Sequence, residues 1–282
     1  MPELPEVEIV ARLVGAAIAG ARVESTLAPG VNALKTFDPP LHALDGSVLT
    51  GVSRRGKHLV IESDAGLVLL IHLMSAGRLQ LFDRRAGLRD RTSRVLIRLD
   101  DGRELRLREF GTKQAAWAKL LRAGALADED AIATLGPEAW PDPPPFLPLL
   151  GRQPRPLHSL LRDQRVIAGI GRSWVDEILW EARLSPYKRG TDLSEAEADA
   201  LRAATVARLG EAIDVYEATL RLPLPDKLPL PLKVHRHEGQ PCPRCGTTLE
   251  AVHFEDYVIA YCPTCQTEGR VLKDRRMSRL LK

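Results

Sequence analysis

No run in this 282-residue chain is long and apolar enough to cross a membrane. The apolar stretch at 66–74, GLVLLIHLM, is far shorter than the roughly 18 residues a span needs. The start is acidic and helical in pattern, which sets a signal peptide aside. Cysteine is missing before position 242. There is no internal repeat. Together these absences point to a soluble, intracellular protein. A strong net charge is also lacking: 40 basic and 37 acidic residues leave only +3, a weak sign of a polyanionic partner when taken alone.

The distribution of charge says more than the sum. Residues 53–110 hold 13 Lys/Arg against 8 Asp/Glu, residues 151–189 hold 8 against 4, and residues 233–282 hold 9 against 6. Residues 190–232 reverse the sign, with 4 against 8. Three basic segments and one acidic segment fit a molecule with one polyanion-facing side, although ordinary solvated charge gives the same count.

The length suits two domains of ordinary size, and 44% hydrophobic residues readily supply a core. Residues 5–20 carry a helical apolar pattern (Val7, Val10, Leu13, Val14, Ala17) ending at a glycine. From residue 22 to about 117 the runs HLVIES, LVLLIHL and RVLIRLDDGRELRL read as strands, with DDG as a hairpin turn. An antiparallel β-domain with a helix at its start is expected. The segment WPDPPPFLPLLG, with five prolines, reads as a linker. Helical patterns follow at PLHSLLRDQR and SWVDEILWEARLS. A long acidic helix then opens at a Ser cap, its acids suited to a solvent-facing side turned away from a polyanionic partner. LPLPDKLPLPLK forms a second proline-rich break. The expected domains are 1–125, a linker at 126–150, a helical domain at 151–232, and a terminal module at 233–282.

All four cysteines lie in that last module. Cys242 and Cys245 form one CxxC and Cys262 and Cys265 another, with sixteen residues between Cys245 and Cys262. Two CxxC turns brought together by a hairpin make a four-thiolate site for one structural zinc ion, closed to catalysis because no coordination position is left open. Redox motifs or disulfides fit an intracellular chain less well. His235, His237 and His253 are then surface or polyanion-facing residues.

Between the two central helical patterns, Gly169 and Gly171 permit tight turning and close backbone approach. Either their amides and the following helix start form an anion site with Arg172, or this is a plain corner in an all-α domain.

The opening MPELPEVE poses a separate question. Pro5 suits a first helical position, and Glu6 and Glu8 favour the positive end of a helix dipole. Neither accounts for Pro2 and Glu3.

PELPEVE, RRGKHL at 54–59, the DQRVIAGIG–WVDEILWEARLSP segment and PCPRCG–YCPTCQ occur in an order and spacing that resemble the formamidopyrimidine-DNA glycosylase / endonuclease VIII family across essentially the whole chain. The resemblance implies an α+β multidomain fold. Its parts are an N-terminal β-sandwich domain with an N-terminal helix, a helix–two-turn–helix domain, and a C-terminal zinc β-hairpin finger, with damaged double-stranded DNA bound in the cleft between the two halves. It implies a bifunctional DNA glycosylase and abasic-site lyase that removes oxidised or ring-opened bases, as a cytoplasmic, nucleoid-associated bacterial-type monomer with no membrane partner. The competing reading is a non-catalytic, damage- or structure-specific DNA-binding protein on the same scaffold. Joint retention of Pro2, Glu3 and Lys57 speaks against it.

On this reading Met1 removal makes Pro2 a secondary amine that attacks the sugar C1′, the family's nucleophile. Glu3 is the proton donor, and Glu6 and Glu177 are supporting residues. Lys57 corresponds to the active-site lysine that contacts phosphates beside the lesion, with Arg54 and Arg55 either backbone contacts or solvated. Met74, Arg108 and Phe110 correspond to the residues that fill the gap left by an extruded base. Gly169, Gly171 and Arg172 correspond to a phosphate contact. The chain departs from the family pattern at several points. Ser75 stands where the inserted Met is usual, which makes Met74 a candidate core residue instead. Glu109 replaces a basic residue, Arg172 an asparagine, and Tyr257 the finger's arginine. A proline-rich segment replaces the covering loop in 211–234. These departures leave the choice among oxidised purines, ring-opened purines and oxidised pyrimidines open.

Overall fold

A computed structural model describes residues 2–30, 32–87, 90–110, 114–254 and 257–272. The chain forms two compact units: residues 1–134 with 213–229, and residues 135–212 with 230–282.

The first unit opens with helix α1 (Leu4–Ile18), which starts one residue earlier than Pro5 suggests. Glu3 is the N-cap and Pro5 the second helical position, where a missing N–H costs nothing because first-turn amides have no partner within the helix. The strands are β1 (Val23–Leu27), β2 (Leu49–Arg55), β3 (His58–Ser63), β4 (Leu67–His72), β5 (Gly77–Phe82), β6 (Ser93–Leu99), β7 (Glu104–Glu109) and β8 (Trp117–Arg122). They form two antiparallel four-stranded sheets, ordered β1-β6-β7-β5 and β2-β3-β4-β8, the expected β-sandwich. The DDG turn joins β6 and β7, with Gly102 at φ +91°, a conformation glycine adopts without strain. Alternate side chains such as Leu79, Ile97, Leu105 and Leu107 are buried, and α1 contributes Val7, Val10 and Val14. The short helix α2 (Asp130–Ala133) follows.

The second unit contains α3 (Phe146–Leu150) inside the proline-rich stretch, then α4 (Leu157–Arg162) and α5 (Arg172–Glu181). Helix α6 (Glu195–Thr219) begins in this unit, and its last turns, from Ile213, belong to the first. Ser194 caps it: the Ser194 Oγ accepts the Glu197 amide, and Glu197 accepts the Ser194 amide in return. The expectation for α6 holds for one face only. Glu195, Asp199, Glu211, Asp214 and Glu217 are exposed, but Leu201, Thr205, Arg208, Leu209, Ile213 and Tyr216 form a buried stripe. The terminal module pairs β9 (Glu250–His253) with β10 (Val258–Tyr261), followed by α7 (Pro263–Thr267). Among the described residues no helix is long and apolar enough to cross a membrane.

Candidate functional site

The chain start is held by reciprocal bonds. Glu3 and Glu6 form a capping box, each side chain accepting the other's backbone N–H, with Glu3 N–H to Glu6 Oε2 at 2.8 Å. Both acids are buried, at 2% and 3% exposure. Buried carboxylates require partners, and Glu6 has a second one that the sequence pattern did not single out: Tyr216 donates its hydroxyl to Glu6 Oε1 at 2.9 Å. The clue lay in the period of α6, where Tyr216 continues the stripe from Leu209 and Ile213. Pro2 precedes this cap and is half-buried. Met1 lies outside the described residues.

Lys57 occupies the β2–β3 turn after Gly56 and is buried at 6% exposure, so it is not a solvated lysine at a strand end. Arg54 is not solvated either: its Nε donates to Glu8 Oε2 at 2.9 Å, with the side chain 6% exposed. Arg55 is exposed. Burial, assisted by the neighbouring Lys57 charge, holds His58 down to about 4 and His72 to about 3, so both rings are neutral at pH 7.

His72 Nδ1 accepts the Met74 amide at 3.0 Å, and Met74 takes a left-handed backbone conformation at φ +49°. The expectation that Met74 is a core residue fails. It lies in the turn after β4 rather than in a strand, and it is only half-buried. A one-residue shift therefore does not turn it to an inner face, and the core position goes to Leu73 at 3% exposure. The turn is tight: a Cβ on Gly77 would lie 2.3 Å from the Leu73 carbonyl oxygen.

Arg108 and Phe110 come together at the end of β7, with the guanidinium carbon 4.6 Å from the ring centroid and Phe110 43% exposed. Arg108 also donates to Thr92 Oγ1, Gln80 Oε1 and Asp226 Oδ1, each at 3.0 Å. The proline-rich segment is docked here as well: Gln80 Nε2 donates to the Leu224 carbonyl at 2.6 Å, and Arg78 to that of Asp226 at 2.5 Å. Glu109, unexpected at its position, is buried at 5% and accepts the amides of Ala115 and Ala116 at 2.7 and 2.9 Å. It thereby ties the end of β7 to the chain leading into β8.

In the second unit Gly169 adopts φ +104°, and its amide is not exposed: it donates to Gln164 Oε1 at 2.9 Å. Both Gly169 and Gly171 are buried, and Arg172 at the start of α5 is exposed. The expected row of open amides is thus reduced by one, because the Gln164 side chain fills it. Tyr257 stacks on Phe254 at 4.4 Å and carries the guanidinium groups of Arg162 and Arg172 at 4.4 and 5.4 Å from its ring.

Glu177, fully buried, accepts the amides of Lys233, Val234 and His235 at 2.8–3.0 Å and faces Arg208 at 3.4 Å. It joins α5 to the chain entering the terminal module. Glu177→Ala strands three amides and leaves the buried Arg208 guanidinium with Glu211 as its remaining carboxylate partner. The expected loss is about 3–5 kcal/mol, read by equilibrium denaturation; an unchanged unfolding midpoint would contradict this role. His235 departs from its expected surface position. It is 6% exposed, and its Nδ1 lies 2.7 Å from Asp176 Oδ2, which also accepts the Ala260 amide. His237 is half-buried and His253 exposed.

The four cysteine sulfurs lie within 4.8 Å of one another. Cys245 Sγ lies 3.5 Å from the sulfurs of Cys262 and Cys265, and Cys242 Sγ lies 4.0 Å from Cys265 Sγ. Tetrahedral thiolates about 2.3 Å from zinc stand about 3.8 Å apart, so the donor set fits one structural ion. The Trp180 Nε1 donates to Cys242 Sγ at 3.4 Å, and the Cys265 amide points at Cys262 Sγ at 3.5 Å, bonds suited to thiolates. The Thr247 hydroxyl and amide bring the Cys245 thiol down to about 6.

The sequence matches three family models: the formamidopyrimidine-DNA glycosylase N-terminal domain over residues 1–112, the H2TH domain of the same glycosylase over 141–223, and the zinc finger found in FPG and IleRS over 239–267. A formamidopyrimidine-DNA glycosylase of Roseiflexus sp. is 34% identical, the match covering 94% of this chain and 100% of the relative. That of Pediococcus pentosaceus is 31% identical over 94% and 99%. Among solved structures, a Lactococcus lactis FPG mutant in complex with Fapy-dG-containing DNA superimposes with a TM-score of 0.84 at 26% identity, covering 94% of this chain and 100% of the other. MutM in complex with carbocyclic 8-oxo-G-containing DNA gives 0.83 at 26%, with the same coverage.

Proposed function

Because the chain belongs to the formamidopyrimidine-DNA glycosylase family, and is thus a base-excision repair glycosylase with abasic-site lyase activity, we propose that Pro2 is its nucleophile and Glu3 its proton donor. The observation that carries this reading is the buried capping box at the start of α1, which fixes the backbone directly after Pro2 and places a carboxyl next to it. With Met1 removed, Pro2 is a free secondary amine. A free α-amino group has a pKa of about 8, so a useful fraction is unprotonated near neutrality.

The chemistry follows from that amine. Its nitrogen attacks the sugar C1′ and the bond from C1′ to the damaged base breaks. The departing base takes up the proton the amine releases, Glu3 gives one to the ring oxygen as C1′–O4′ opens, and an iminium is left on C1′. The iminium's positive charge acidifies the C2′ hydrogen, and loss of that proton expels the 3′ phosphate. Lys57, buried in its turn, supplies a cation for a phosphate beside the lesion. In the second unit, Arg172 at the head of α5, steadied by the Tyr257 ring, supplies a cation for a backbone phosphate of the duplex. The zinc ion, held by Cys242, Cys245, Cys262 and Cys265, contributes structure to the finger.

The substrate we place here is damaged double-stranded DNA carrying an oxidised or ring-opened base, and the setting is a cytoplasmic, nucleoid-associated monomer. Strand cleavage on a panel of single-lesion duplexes tests this. Cleavage of none of them, with intact binding, favours the non-catalytic alternative.

Phe110 and Arg108 are assigned to the space left by the extruded base. A stacking aromatic contributes about 1–3 kcal/mol per base, so Phe110→Ala is expected to slow base excision roughly 5- to 150-fold. Arg108→Ala is expected to act in the same direction. Both leave cleavage of a ready-made abasic site nearly unchanged, because no base needs extruding there. Single-turnover rates on both substrates check this, and equal losses on the two would remove the assignment.

A further inference from the structure

We propose that Tyr216 is a positioning residue for the Pro2 amine, acting through Glu6. The proposal rests on the reading of Pro2 as nucleophile. Tyr216 is fully buried, and its hydroxyl donates to Glu6 Oε1 at 2.9 Å. The other carboxylate oxygen of Glu6 accepts the Glu3 backbone N–H at 2.8 Å. One carboxylate is therefore pinned at both oxygens, by the last turns of α6 on one side and by the chain start on the other.

The consequence follows from peptide geometry. The Pro2–Glu3 peptide unit is planar, so holding the Glu3 N–H also holds the Pro2 carbonyl and Cα. Rotation about the single Pro2 Cα–C bond then separates the ring nitrogen from a fixed plane. Glu3 refers to the same anchor, since its carboxylate accepts the Glu6 backbone N–H within the capping box. Amine and acid thus take their placement from one buried carboxylate, and Tyr216 decides whether that carboxylate can swing.

Burial, together with the adjacent Glu6 and Glu3 carboxylates, pushes the Tyr216 phenol well above the ordinary tyrosine range, so it stays a donor. The hydroxyl is not needed to hold α6 in place. Arg12 of α1 pairs with Glu217 one residue on, and the Tyr216 ring remains packed when only its oxygen is removed. Tyr216→Phe accordingly isolates the bond from the packing.

The experiment measures borohydride trapping under single turnover on an abasic-site duplex, and the dissociation constant for a duplex carrying an uncleavable abasic analogue. It uses full-length, zinc-loaded, Met1-processed protein. Tyr216→Phe is expected to slow trapping roughly 10- to 100-fold, the scale of a misplaced reacting group, with unchanged dissociation constant. Glu6→Gln alone is expected to slow trapping comparably, and adding Tyr216→Phe to it to slow trapping no further. A purely structural tyrosine would weaken binding or lower the melting temperature in both backgrounds without this non-additivity.

Wild-type trapping by folded Tyr216→Phe overturns the proposal, as does an equal further loss in the Glu6→Gln background. Should Tyr216→Phe not fold, Glu6→Gln decides by itself: trapping at the wild-type rate would leave Tyr216 nothing to act through. Absence of trapping in the wild type overturns the amine reading and this proposal with it, whereas the other failures leave the amine reading standing.

Discussion

Borohydride added to the Met1-processed protein on an abasic-site duplex is expected to yield a covalent protein–DNA adduct, and a form carrying one extra residue before Pro2 is expected to yield none. The extra residue turns the Pro2 nitrogen into an amide, whose lone pair is delocalised into the carbonyl and does not attack C1′. No side chain is altered, so folding and DNA binding should survive, which the dissociation constant would show. Glu3→Gln keeps the amine and the size of the cap but removes the acid. Loss of a general acid costs typically 10²–10⁴-fold, so base excision should fall by roughly that factor. Pro2→Gly, which leaves a primary amine, should retain some trapping, because a primary amine forms the same imine but needs a proton to carry the charge. A wild-type protein that cannot be trapped would refute the nucleophile assignment.

Removal of zinc carries the second large effect. Structural zinc contributes about 10–16 kcal/mol in small fingers, far more than the packing of one short hairpin supplies. Cys245→Ser is the cleanest probe because Cys245 is exposed, so little packing is lost with the sulfur. The variant is expected to lose its one zinc by metal analysis and to bind lesion duplexes far more weakly. The two sheets, built wholly from residues before Ala123, should keep their far-UV signal. Protein purified without chelator and found to contain no zinc would overturn the site itself.

The same contrast between short-range pattern and long-range contact separates what could be read from the chain from what could not. HLVIES became β3 residue for residue, and DDG became the β6–β7 turn, because hydrophobic period and turn chemistry act over a few neighbours. The two CxxC pairs announced their zinc site because each turn points two sulfurs at one ion whatever surrounds it. The candidate amine and lysine, in PELPEVE and RRGKHL, came instead from the resemblance that these motifs carry in their order along the chain, because local pattern left Pro2 unexplained and the glycine turn open between two readings.

The partners of those residues were another matter. Nothing local tells Arg54 to find Glu8, Arg108 to find Asp226, or His235 to sink beside Asp176. Strand parity puts Met74 in the core, yet β4 ends at His72 and Met74 lies in the turn beyond it with a left-handed backbone. Tyr216 lay in plain sight on an acidic helix, 210 residues from the carboxylate it serves. Sequence by itself determined the first helix, the strands of clearest period, the zinc ligands and the family, since these rest on pattern and spacing along the chain, but not α3, which lies inside the stretch that reads as a linker. The tertiary structure alone decided which buried charge is matched by which donor, because that pairing is set by desolvation, and desolvation exists only once distant segments have packed together.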